Sequence, residues 1–148
     1  MAELRPFRAL VYDPARVGPL GAVWAPPYDV IRPAERAALA ARHPHNVVRL
    51  ILPEGAPDPC AAAAARLADW VAQGILVRER EPSVRVHAHA YGPPGAERTR
   101  TGLWAALRLE PFERGVVLPH ERTMPGPKAD RLALWRACRT QLSAVFLV

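Results

Sequence analysis

The run at residues 118–131, LPHERTMPGPKADR, gathers the side chains best suited to chemistry. His120, Glu121, Arg122 and Thr123 place an imidazole, a carboxylate, a guanidinium and a hydroxyl at consecutive positions after an apolar run at 116–118. Imidazole titrates near neutrality, a carboxylate serves as base or ligand, and a guanidinium grips phosphate or carboxylate with a rigid fork. The same four groups would also suit a polar turn that caps the next helix. Lys128 follows Met124-Pro125-Gly126-Pro127 and leads into a helix expected over 127–140, with Asp130 and Arg131 in its first turn. A helix start offers free N–H groups and a partial positive charge, so an anion could rest there with Lys128 as a point charge. It is not a Walker loop, because Ala129 stands where GxxxxGK[ST] requires a hydroxyl. A capped surface helix accounts for the same residues.

The second unusual segment is APPYDVI at 25–31. Two prolines stiffen the chain ahead of Tyr28 and Asp29, and a cis proline is one way to make the turn. Asp29 is a candidate to bind a hydroxyl, a cation or a catalytic proton, and equally a candidate to cap the helix that starts near Pro33. His87 and His89 share one side of an alternating run, and His43 and His45 form a similar pair. Neither pair has a third ligand at metal-binding spacing, so no metal site is assigned. There is no GxSxG elbow or dinucleotide-binding glycine pattern. Cys60 and Cys138 lack both a CxxC partner and a neighbouring base, and read as buried or incidental thiols of a reduced compartment.

The elements that must position these groups follow from local signals. Residues 7–12 read as a strand closed by Asp13-Pro14, and 18–27 is too rich in Gly and Pro for helix. Pro33 opens a helix to about Arg42, with Leu39 inward and Glu35 near its positive end; His43-Pro44 stops it. The apolar run 47–52 reads as a strand. Asp58 caps an alanine-rich helix over 59–73, Gly74 supplies its left-handed end, and Leu67, Trp70 and Val71 form a stripe expected to lie across a sheet. Residues 84–91 alternate strictly, and 99–109 is their antiparallel partner across Gly92-Pro93-Pro94-Gly95. In the helix after Lys128 the inner side is Leu132, Trp135 and Cys138 or Arg139. The apolar end, 144–148, is either a last docked strand or a place where the polypeptide has been cut. The resulting fold class is α+β: a mixed, partly antiparallel twisted sheet flanked by helices.

Half of the 148 residues are hydrophobic and 23% are charged, the composition of a folded chain, and 17 prolines divide it into short elements. The net charge of +6 favours anionic partners. Its carriers are mostly scattered arginines, with no RNP, zinc-finger or basic-zipper pattern, which makes nucleic acid a secondary candidate. No window approaches a membrane span or signal peptide, so a cytoplasmic protein without a membrane partner is expected.

Several segments together resemble the N-terminal region of the bacterial and archaeal domain of unknown function 1015 family. They are RPFRAL at 5–10, APPYDVI at 25–31, NVVRL at 46–50, VVLPHERT at 116–123, and Gly126-Pro127-Lys128 with Asp130-Arg131-Leu132. They occur in family order over nearly the whole chain. A length of 148 residues suits a single domain, and the resemblance implies that it is the N-terminal part of a longer polypeptide. Family members carry further on an Asp-Gly-His-His-Arg segment similar to the ParB and sulfiredoxin superfamily, which includes nucleotide-using kinases of free serine. The chain stops before any such segment. It departs from the family at Ser143-Ala144-Val145-Phe146, where Ser-Pro-Ile-Phe is usual.

By this resemblance His120, Glu121, Arg122, Thr123 and Lys128 line one wall of a phosphate or nucleotide site. The leading expectation is kinase-like phosphoryl transfer, with ATP or ADP and Mg²⁺ as cofactor and a small anionic ligand or nucleotide as partner. Lys128 and Arg122, aided by Thr123 and Arg131, would hold phosphate, while Glu121, Asp29 or His120 serves the acceptor hydroxyl. The alternatives are a non-catalytic anion- or nucleic-acid-binding module, and a structural piece supporting a site elsewhere.

Overall fold

A computed structural model describes residues 1–119 and 125–145, with Pro125 described in its backbone alone. The first elements are β1 (Leu4–Arg5), β2 (Leu10–Tyr12), and the single-turn helices α1 (Pro14–Val17) and α2 (Leu20–Val23). They are followed by α3 (Pro33–Arg42), α4 (Val48–Ile51), α5 (Pro59–Ala72) and β3 (Leu76–Arg78). Then come β4 (Arg85–Tyr91), β5 (Arg98–Trp104), β6 (Ala106–Leu107), a 3-10 turn (Phe112–Arg114) and α6 (Pro125–Cys138). The chain divides into a ladder unit, residues 1–10 and 78–122, and a helical unit, residues 11–77 and 123–148. The α+β class holds, but among the described residues the strands form three separate two-stranded ladders rather than one sheet.

In the helical unit, Asp13 caps α1 by accepting from the Ala15 amide at 3.0 Å, and β2 pairs with β3. Residues 20–23 form a helical turn despite the flanking Gly and Pro, because Pro19 offers its carbonyl to the Ala22 amide and Val23 becomes fully buried. Helix α3 has the boundaries its sequence signals, with Pro33 at its start, Leu39 buried and His43 extended before Pro44. The strand expected at 47–52 is instead the helical turn α4. A six-residue apolar run carries no period that separates strand from helix. Here Asn46 decides it, since its Oδ1 accepts from the Val48 amide and starts a turn whose Val48, Leu50 and Ile51 are all buried.

Helix α5 begins as expected, with the Asp58 Oδ1 accepting from the Ala61 amide, and Gly74 beyond its end has φ +70°. Its buried stripe is Ala63, Leu67 and Trp70; Val71 faces water. The helix packs on α4 and α6, and its Trp70 ring meets Tyr12 of β2 at 6.2 Å. Helix α6 starts two residues before the expected position and buries Leu134 and Cys138. With the half-buried Arg131 these give an i, i+3, i+7 stripe; Cys138 is inward as expected and Leu132 is half-buried, whereas Trp135 and Arg139 are exposed. Arg139 closes the helix in the left-handed region, φ 48°, where a non-glycine residue costs on the order of 1 kcal/mol. The core joins Ala25, Leu39, Val48 and Ile51 with the partly buried Tyr28, Ile31 and Leu142 around them.

In the ladder unit, β4 and β5 pair antiparallel from Arg85↔Trp104 to Tyr91↔Arg98, the hairpin its alternation announces. The half-buried character expected of it is absent: Val86 and Leu103 on one face and His87 and His89 on the other are all exposed. Strand β5 stops at Trp104 instead of running to 109, and Ala106–Leu107 turns away to pair with β1. Glu79 ties the unit together, accepting from the Ala9 amide at 3.1 Å, the Ser83 hydroxyl at 3.4 Å and Arg85. The apolar run at 116–118 forms bends and no ladder. Among the described residues no helix is long and apolar enough to cross a membrane.

Candidate functional site

The APPYDVI segment enters the helical unit through Ala25, which is buried, and then makes a turn closed by the Val30 amide on the Pro27 carbonyl at 3.2 Å. The described peptide bonds are all trans, so the turn is made without a cis proline. Its corners are Tyr28, half-buried, and Asp29, exposed. Asp29 does not cap α3, whose N-cap residue is Arg32 with no side-chain cap bond. Among the described residues nothing bonds to the Asp29 carboxylate, which leaves it available.

Arg131 on α6 holds this turn. Its guanidinium carbon lies 4.2 Å from the Tyr28 ring centroid, its Nη1 donates to the Ile51 carbonyl at 2.7 Å, and its Nε donates to Asp130 at 2.9 Å. The side chain is 23% exposed. The fork that the sequence offers to phosphate is thus occupied inside the fold, pinning the Tyr28 turn, the end of α4 and α6 to one another. Other arginines of the unit are used the same way: Arg36 donates to the Leu52 carbonyl, Arg49 to Ala40 and Arg66 to Arg49. These carbonyls lie where short helices end and leave acceptors without intrahelical donors. Part of the positive charge is therefore structural.

Lys128 is exposed one helical turn before Arg131, on the same side of α6. Because the helix starts at Pro125, Lys128 sits in the first turn, while Asp130 and Arg131 fall in the second rather than the first. Pro125 and Pro127 lack N–H groups, which removes two of the amides a helix start normally leaves free. The first turn contains no acidic residue. A cation at the positive end of a helix dipole is unfavourable by about 0.3–1 kcal/mol, and a bound anion would reverse the sign of that term. His120, Glu121, Arg122 and Thr123 lie outside the described residues.

The histidine pairs are engaged locally. His43 Nδ1 accepts from the His45 amide at 3.0 Å, and the His45 ring meets Trp70 edge-on at 5.4 Å. Burial first, then His43 and Arg49, hold the His45 pKa below the ordinary imidazole value. His45 also borders an open cleft of about 420 Å³ with Arg66, Asp69, Trp70 and Gln73, which no sequence motif marks. On the hairpin, the His87 and His89 rings are stacked 6.0 Å apart. Among the described residues there is no group of three or more His, Cys, Asp or Glu placed to hold a metal.

An α+β protein with a cationic helix start beside a proline-stiffened Tyr-Asp turn is the class these features define. Within that class, the family model described as protein of unknown function (DUF1015) matches residues 4–148, and the chain belongs to that family. No curated protein and no solved structure gives a significant match.

Proposed function

We propose that the start of α6 and the Tyr28–Asp29 turn form a phosphate-handling site, and that the protein is a kinase-like phosphoryl-transfer enzyme, or its N-terminal part. The observation that carries this reading is the pairing of an acid-free first turn bearing Lys128 with an uncommitted Asp29, set on one scaffold by Arg131. Phosphoryl transfer asks mainly for positioning and charge stabilisation. Lys128 and Arg122 hold phosphate oxygens, Asp29 or Glu121 receives the acceptor hydroxyl's proton, and His120 and Thr123 are assigned roles in the same chemistry. Arg131 acts as a positioning residue through Tyr28. ATP or ADP with Mg²⁺ supplies the phosphoryl group and neutralises its charge, with Asp29 and Glu121 as the carboxylates suited to the cation. A relation of the family to the ParB and sulfiredoxin superfamily is part of this proposal.

Calorimetric titration with ATP, ADP and pyrophosphate in the presence of Mg²⁺ tests it. Binding should weaken about tenfold or more in Lys128→Ala and in Arg122→Ala, the loss of one charge-assisted contact. Asp29→Asn should lower the rate of transfer by a larger factor than it weakens nucleotide binding. Absence of binding, or binding indifferent to Lys128→Ala and Arg122→Ala, removes the proposal.

A further inference from the structure

The β4–β5 hairpin sets aromatic and imidazole rings side by side on one face. Its register puts Arg85, His87, His89 and Tyr91 on one face opposite Trp104, Gly102, Arg100 and Arg98. The rings on that face form a continuous row. Trp104 meets His87 at 6.0 Å, His87 meets His89 at 6.0 Å, and His89 meets Tyr91 at 6.1 Å. The two-residue strand repeat sets the step along β4, while Gly102, directly opposite His87, has no side chain and Trp104 meets that ring diagonally, edge-on. Arg100 lies along the row, with its guanidinium carbon 5.8 Å from the Tyr91 centroid and its Nη2 3.4 Å from His89 Nδ1. All four rings belong to exposed residues.

The charge on this face has one sign. Strands β4 and β5 contain three arginines and no acid. The hairpin's single carboxylate, Glu97, is in the turn, where both of its oxygens accept from the Gly95 amide at 3.1 Å. Arg85 is paired with Glu79, and Arg98 and Arg100 are the other two cations of this face. Flat rings in series beside arginines match a polymer that presents flat rings in series beside phosphates. We infer that this face of the hairpin binds single-stranded nucleic acid, with bases stacking on Trp104, His87, His89 and Tyr91 and phosphates meeting Arg98 and Arg100. A duplex fits less well, since its bases are already stacked and its groove edges call for hydrogen-bonding groups rather than ring faces. The opposite face, with Val86, Ala88, Ala90 and Leu103, has no charge and serves as an internal control.

Fluorescence anisotropy of the whole chain with a labelled thymidine or uridine oligonucleotide, at low and moderate salt, tests the inference. Trp104→Ala and His89→Ala should each weaken binding on the order of tenfold, the loss of one stacked base. Arg98→Gln and Arg100→Gln should each flatten the slope of log affinity against log salt by about 0.7, one phosphate contact per arginine. Val86→Thr with Leu103→Thr should leave affinity unchanged, and cross-strand amide contacts measured by NMR should confirm an intact hairpin in every variant. Three results overturn the inference: no binding at low salt, tighter binding to the matched duplex, or full competition by polyphosphate with no effect of the ring substitutions. The last would mark a plain basic patch. Lys128→Ala leaves this binding unchanged, which separates the result from that of the phosphate site.

Discussion

In the helical unit Leu50 keeps 2% of its surface in water, whereas in the ladder unit Val86 and Leu103, aliphatic cross-strand partners, keep 71% and 62%. Every buried residue of the described chain belongs to the helical unit. The ladder unit is held instead by backbone ladders and by carboxylate hubs: Glu79 with Ala9, Ser83 and Arg85, and Glu3 with Arg5 and Arg108. The difference teaches that hydrophobic alternation fixes where side chains point but supplies no second layer to cover them. A lone hairpin gains little stability of its own. Packing dominates one unit and polar geometry the other.

That contrast can be broken by substitution. Leu50→Ala should cost the whole molecule about 2–5 kcal/mol, read as a shift of the urea midpoint followed by circular dichroism. Next comes Asn46→Ala. Asn46 is fully buried; its Nδ2 donates to the Ala22 and Trp24 carbonyls at 2.8 and 2.9 Å and its Oδ1 starts α4. Stranding those buried groups should cost about 2–3 kcal/mol in the same measurement. A loss below about 1 kcal/mol in either variant would show that the core does not rest on α4.

Acidification should separate the units by the order in which they loosen. His45 has a lowered pKa, chiefly through burial, so the folded state resists its protonation. The stability this gives is present above the ordinary imidazole value of 6.5 and is lost as pH falls below it. Glu79 has a lowered pKa, chiefly because it accepts from the Ala9 amide and then because of Arg85. Its contribution is present above the ordinary carboxylate value of 4.5 and is lost only as pH falls through the lower folded value. Amide exchange followed by NMR between pH 7 and 3 should therefore show α5 loosening before the Phe7–Ser83 bridge, and the reverse order would contradict these assignments. The smallest effect is expected from Val86→Thr with Leu103→Thr, within about 0.5 kcal/mol, as for exposed positions generally. A large loss would mean that this face is covered.

The legible parts of the fold are those written in local chemistry. Asp58 and Gly74 bracket α5, Pro33 and His43-Pro44 bracket α3, and the 84–91 alternation gives the hairpin. What was not legible depends on partners distant in sequence. Nothing near residue 131 reveals that the Ile51 carbonyl, 80 positions earlier, needs a donor, so Arg131 reads as a ligand for phosphate. The run 47–52 reads as strand until the side chain of Asn46 is seen to start a helical turn. For the site, Asp29 and Lys128 were visible as chemistry. Their common scaffold was not, although three segments cited for the family resemblance meet there: Arg131 lies over Tyr28 of APPYDVI, and Ala25 and Tyr28 share a core cluster with Val48 of NVVRL.

The pairing of Leu4 with Leu107 has a consequence for the order in which the chain can fold. Strand β1 emerges from synthesis about a hundred residues ahead of its partner and must wait for it, and closing so long a loop is entropically slow. The β2–β3 ladder joins the chain at positions 10–12 to positions 76–78, which takes most of the intervening residues out of that loop once the helices have formed. Helix assembly is therefore the preparatory step and β1–β6 closure a late one, so slowing the first delays the second, while trimming β1 leaves the helices free to form on time.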